Sequence, residues 1–139
     1  MMGVQVTACG SNRSISMSPY PGDRILILKP KWLRLLLSGE KDLEIRGCRF
    51  KPGNYYLGCG GLIFASCQLG SAIPIQTPEE WEQLRPRHRA ESSTLPYKNT
   101  WGIPLTDLVA VTTPVRYRHP RGAMRIVRFR RCLFLFCVV

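Results

Sequence analysis

Arg24-Ile-Leu-Ile-Leu-Lys-Pro-Lys-Trp-Leu-Arg-Leu-Leu-Leu-Ser-Gly-Glu-Lys-Asp-Leu-Glu-Ile-Arg46 packs three elements into twenty-three residues. The apolar run at 24–28 predicts a short buried strand. Lys29-Pro30 ends it, and Pro30 suits the first turn of a helix. Residues 31–38 then predict a two-turn helix. Its apolar face is Trp32, Leu35 and Leu36, with Leu33 and Leu37 beside them. Gly39 is placed as the left-handed stop. Asp42-Leu-Glu-Ile-Arg46 alternates, so Leu43 and Ile45 face inward while Asp42, Glu44 and Arg46 share the other face of a half-buried strand. Lys41 lies at the turn between helix and strand.

Downstream, Lys51-Pro-Gly-Asn54 is a turn signal. Residues 55–59 and 62–69 predict strands joined in a hairpin at Gly60-Gly61, and 73–75 an edge continuation. Thr77-Pro-Glu-Glu80 is a capping box opening a helix over 79–85, anchored by Trp81 and Leu84 and disturbed by Pro86. A polar loop follows at 87–96. Residues 100–105, 108–112 and 124–129 predict three more strands, the last two separated by the basic loop Arg116-Tyr-Arg-His-Pro-Arg-Gly122. Residues 1–22, rich in Ser, Gly and Pro, predict a flexible lead outside the core. Residues 132–139 are an apolar tail to which the sequence assigns no role. Strands that follow one another without intervening helices exclude a parallel doubly wound sheet. They predict a small, mainly antiparallel α+β domain or open barrel over residues 23–131.

The chain has 139 residues, 45% hydrophobic and 21% charged, which fits one globular domain. Twenty Lys+Arg against nine Asp+Glu give a net charge of +11, and fifteen of the bases are Arg. The charge is lopsided: residues 1–91 carry +4 and residues 92–139 carry +7. A sequence pI near 9.9 makes nucleic acid the first partner to consider. The six cysteines form no C-x-x-C pair and the only histidines are His88 and His119, a pattern without zinc-ligand spacing. No metal or cofactor is expected. Residues 1–24 lack a long apolar segment, and the eight-residue tail falls short of a bilayer span. The expectation is an intracellular chain, cytoplasmic or nuclear, with free thiols and no membrane partner.

The densest polar cluster is Lys41, Glu44 and Arg46. On a solvated strand face these residues make an ordinary surface ion pair. On the wall of a cleft they bring together an ammonium, a carboxylate and a guanidinium, a set able to hold a phosphate and a base edge. The second cluster is Arg116, Arg118, His119, Arg121 and Arg125 with Tyr117 between, bases interleaved with an aromatic ring. His119 reads either as a general base or as a loop residue held by a backbone hydrogen bond. Tyr55, Tyr56, Trp32 and Trp101 are stacking candidates, although adjacent strand residues face opposite ways and only one of the two tyrosines can line a given cleft. Trp32 and Trp101 also read as core residues, Lys98-Asn-Thr-Trp101 as a lip, and Cys48 and Cys67 as small buried hydrophobes.

Gly39-x-Lys41-x-x-Glu44-x-Arg46 resembles the signature G-x-K-x-x-E-x-R of the ASCH domain family. Lys29-Pro30-Lys31-Trp32 and Arg49-Phe50-Lys51-Pro52-Gly53 extend the resemblance, which runs from about residue 24 to 129. The resemblance implies a PUA-like open β-barrel with two or more short flanking helices. It implies binding of RNA, another single-stranded nucleic acid or a nucleotide, modified ones included, in a basic cleft walled by Lys41, Glu44 and Arg46. With the family's cleft in view, the expected contact set is Lys29, Lys41, Glu44, Arg46, Arg49, Arg116, Tyr117, Arg118, His119 and Arg121.

Some similar proteins look like amidohydrolases acting on acylated cytidine. Their pattern has a Thr where this chain has Glu44, and a further Glu on a later strand. No Asp or Glu occurs here from Ile45 to Pro78, so a nucleophile-plus-base mechanism lacks its parts. Lys41 and Glu44 remain an acid–base pair for a ribonuclease or a nucleoside-modifying hydrolase. A basic protein-interaction module is the third class. Turnover of a labelled RNA separates enzyme from binder.

Overall fold

Thr100–Arg116 forms one strand of 17 residues, and the rest of the sheet is arranged around it. The computed structural model describes residues 4–6, 14–17 and 19–132. In chain order the elements are β1 (Val4–Val6), β2 (Ser14–Met17), β3 (Arg24–Ile27), α1 (Pro30–Ser38), β4 (Leu43–Arg46), β5 (Gly53–Cys59), β6 (Leu62–Leu69), β7 (Ile73–Ile75), α2 (Pro78–Gln83), α3 (Arg85–His88), β8 (Thr100–Arg116) and β9 (Ile126–Arg128). The main path is β1-β2-β8-β6-β5-β3-β9, with β4 and β7 also pairing with β8. Most pairs are antiparallel, while β3–β5 and β2–β8 are parallel. The sheet curls into the α+β, PUA-like half-barrel that the strand pattern and the resemblance predict, with three short helices on its flanks.

Two separate strands at 100–105 and 108–112 are corrected to the single β8. The break expected near Thr106-Asp107 is a bend. Asp107 takes a left-handed φ of 51°, and the pairing with β6 slips between Ser66 and Gln68. An inserted residue in one strand turns the chain without ending it, and Asp tolerates that conformation better than most residues. The first part of β8 therefore pairs with β4 and β7, and the later part with β6 and β2.

Two clusters make the core. The larger holds Leu26, Leu28, Leu33, Leu36, Tyr55, Leu57 and Ile103 among others; the smaller holds Ile25, Tyr56, Ile63, Tyr117, Val127 and Phe129. α1 buries Leu33 and Leu36, leaves Trp32 and Leu35 half-buried, and exposes Leu37. Gly39 stops it in the left-handed region at φ 83°, as the sequence predicts, and donates its N–H to the Leu36 carbonyl. α2 begins at the expected capping box, where Thr77 Oγ1 accepts from the Glu80 N–H. The helix expected over 79–85 is corrected to two, α2 and α3, because Pro86 falls in the first turn of α3, where its missing N–H has no partner to lose.

Within the stretch over residues 1–22 lie β1 and β2, and β2 adds to β8 with Ser14 opposite Ala110. The tail from 133 onward lies outside the described residues. Tyr55 and Tyr56 are 2% and 0% exposed, because β5 is covered on both faces, so neither is free to stack a base. Among the described residues, no helix is long and apolar enough to cross a membrane.

Candidate nucleic-acid interface

α1, β4, the 89–97 loop and the end of the 117–124 loop enclose a cleft with two lobes of about 310 and 300 Å³. Each is at the lower end of the range for small-ligand sites. Trp32, Glu44, Ile45 and Tyr97 line both lobes. Lys41 and Ser92 belong to the first lobe, and Lys29, Arg46 and Met124 to the second.

Glu44 lies on the floor, 4% exposed, and Lys41 beside it is 3% exposed. This overturns the solvated strand face. The alternation correctly groups Glu44 with Arg46, yet Arg46 reaches from that face to the Ile27 carbonyl of β3, and Trp32 of α1 borders Glu44 in both lobes. Only Asp42 remains in solvent, paired with Arg87 at 2.8 Å. Glu44 Oε2 accepts from Arg46 Nε at 2.9 Å, and Glu44 Oε1 is 3.4 Å from Lys41 Nζ. Arg46 Nη2 also donates to the Ile27 carbonyl at 2.6 Å, and its guanidinium rests 5.6 Å over the Phe50 ring. Three partners surround the Lys41 ammonium: Glu44, the His88 carbonyl at 2.6 Å, and the Trp32 ring at 4.7 Å. Burial pushes the Lys41 pKa down, and the Glu44 carboxylate opposes that shift. Two cations against one carboxylate leave the cleft floor with surplus positive charge, poorly screened by water.

His88 fixes this floor from behind. It is fully buried and stacks on Trp81 with ring centroids 3.9 Å apart. Its Nδ1 accepts the Ala90 N–H at 2.9 Å, which leaves Nε2 to donate to the Trp81 carbonyl at 3.0 Å. That arrangement requires the neutral ring. Burial, and then the nearby Lys41 and Arg85 charges, hold its pKa down against the Trp81 hydrogen bond.

No family model matches this chain, and no curated protein matches it. Among solved structures it is similar to two crystal structures of single-substitution mutants of ZmASCH from Zymomonas mobilis, at TM-scores of 0.62 and 0.61 and 12% sequence identity in each. The first comparison covers 80% of this chain and 92% of the other; the second covers 78% and 91%. The fold is ASCH-like. At 12% identity the likeness is one of fold, and the side chains that line this cleft speak only for themselves.

On this ASCH-like fold, Lys41, Glu44 and Arg46 converge as the helix–turn–strand reading requires. Lys29 is exposed on the rim of the second lobe. Arg49 lies outside the cleft, its guanidinium 5.2 Å over the ring of the half-buried Trp101. Arg116, Arg118 and Arg121 are exposed, and none has a carboxylate partner among the described residues. Their loop meets the cleft through Ala123 and Met124. Tyr117 is corrected from a stacking platform to a core residue, 2% exposed. His119 has both ring nitrogens engaged, Nδ1 with Tyr117 Oη and Nε2 with the Ala123 carbonyl, each at 3.0 Å. It braces the loop and offers no free nitrogen for a substrate proton. Cys67 is buried, and its thiol is pushed up to about 12, so it is no nucleophile.

The sequence reading misses Tyr97 and Met124, which are 47% and 75% exposed; Tyr97 lines both lobes and Met124 the second. Trp32, read both as a core residue and as a stacking candidate, packs against the larger core cluster and walls both lobes. One signal points to Tyr97: Gly47, immediately after Arg46. A Cβ at Gly47 would meet the Tyr97 ring at 3.0 Å, so the ring packs closely against that backbone.

Proposed function

We propose that the cleft binds single-stranded RNA by taking one base, or a free nucleotide, between aromatic walls. The carrying observation is the Glu44 carboxylate, buried between Lys41 and Arg46 on the floor of a cleft walled by Trp32 and Tyr97. A carboxylate held this way keeps acceptor capacity for an exocyclic amine on a base edge. The rings offer stacking surface that tolerates any base. Lys29 at the rim and the unpaired arginines of the 116–121 loop supply sequence-independent phosphate contacts. An acidic protein partner would also satisfy the charge, but its carboxylates would meet the Glu44 carboxylate on the cleft floor. The test is fluorescence anisotropy with labelled single-stranded RNA. Glu44→Gln should weaken binding or change base preference by about 1–3 kcal/mol. No binding by the wild type at low salt overturns the proposal.

A second reading, hydrolysis by Lys41 with Glu44, is favoured by one observation: burial lowers the pKa of Lys41, as a base or nucleophile requires. Against it, the ammonium is already held by three partners. Labelled RNA should therefore remain uncut over hours. Cleavage by the wild type that vanishes in Glu44→Gln, with binding intact, would promote this reading.

A further inference from the structure

We propose that a second groove, lined by Arg49, Phe50, Lys51 and Trp101, continues the cleft and holds the next nucleotide, so that the protein grips an extended strand. The inference rests on the reading of the cleft as an RNA site and adds a subsite to it. The groove encloses about 600 Å³. Its position follows from register: Trp101 on β8 lies directly opposite Arg46 on β4, and cross-strand partners point to the same side of a sheet. Arg46 borders the second lobe of the cleft and rests on Phe50, which lines the groove. Arg46 therefore stands between the two sites, within reach of a phosphate that links a nucleotide in one to a nucleotide in the other.

The chemistry of the groove fits the same ligand. Arg49 and Lys51 are exposed and have no carboxylate partner among the described residues. No Asp or Glu occurs in the sequence from Ile45 to Pro78, so nothing local neutralises them. Trp101 is half-buried, with its ring beneath the Arg49 guanidinium at 5.2 Å. A cation beside an indole face serves a phosphate and a stacked base together, whereas an acidic peptide would use the cations and leave the ring idle.

The experiment is isothermal titration of the full chain, at one fixed salt concentration, with the 5′-monophosphates of cytidine and adenosine and with their two-, four- and eight-residue oligomers. Affinity should rise about tenfold or more from the monophosphate to the four-residue oligomer, the gain expected of one added stacked base and its phosphate. The double variant Arg49→Ala, Lys51→Ala should bring that ratio to within about threefold. Both residues are exposed, so the variant should fold, and its thermal midpoint checks this. Trp101→Leu should reduce the same ratio. Binding independent of length, or a ratio unchanged in the double variant, overturns the groove while leaving the cleft reading intact. No binding at any length overturns the cleft reading and the groove with it. Competition by an eight-residue glutamate peptide, as strong as that by the RNA of equal length, overturns the nucleic-acid assignment of the groove.

Discussion

The Lys41 ammonium donates to the backbone carbonyl of His88, 47 residues further along the chain, at 2.6 Å. This contact ties the floor of the cleft to the end of α3. The Ala90 N–H on the His88 ring then fixes the start of the loop that supplies Ala90, Glu91 and Ser92 to the wall. Floor and wall are thus parts of one hydrogen-bonded unit, and several expectations depend on it.

Lys41→Met should destabilise the fold by about 1–3 kcal/mol, because the buried His88 carbonyl loses its donor. Lys41→Arg should not restore the loss, since a planar guanidinium does not match a compact ammonium fitted between a carbonyl, a carboxylate and an indole. Urea midpoints of both variants check this. A wild-type midpoint in Lys41→Met would mean that the contact carries no stability.

Acid should loosen the same unit. The folded-state pKa of His88 is lowered from 6.5, so the unfolded chain takes up a proton that the buried ring refuses. The stability this gives is present above about pH 6.5 and is lost as pH falls through the folded-state value. Thermal midpoints between pH 5 and 8 should decline on the acid side. His88→Gln should be less stable at pH 8, with a shallower acid slope. An equal slope in the variant would assign the acid sensitivity to other groups.

RNA affinity should fall steeply with salt, because arginines that meet phosphates displace counterions. Arg118 and Arg121 are exposed and without acidic partners. Replacing both with Ala should flatten the slope of log affinity against log salt by roughly 1.4, the loss of two single-strand phosphate contacts. An unchanged slope would remove the 116–121 loop from the binding surface.

Gly58→Ala should cost about 1–3 kcal/mol. A Cβ there would lie 2.6 Å from Ile25 Cγ2 and 3.2 Å from the Tyr117 ring, both in the smaller core cluster. Gly60→Ala meets open space and should cost less, from its φ of 60° alone. Paired urea titrations give the order directly, and a Gly60 variant that proves the weaker would contradict it.

What the chain alone determined was local. The Pro30 start, the Gly39 stop and the alternation after it fixed α1, the turn and β4, and hence that Glu44 and Arg46 share a face. The lopsided charge likewise needed only counting. The tertiary structure decided what covers each face. A period of two says which residues point together and nothing about what packs on them. Glu44 is therefore buried on the cleft floor, a choice the alternation left open, and Tyr55 and Tyr56 are both buried because β5 is an inner strand with a cluster on each side. The long β8 needed four partners to carry it through Asp107, and those pairings join segments far apart in sequence. Tyr97 and Met124 reach the cleft, and His88 its back, the same way. Each sits in a stretch with ordinary local signals, and the place of His88 beside Lys41, of Tyr97 beside Gly47 and of Met124 in one lobe with Trp32 exists only once distant backbone has closed around it.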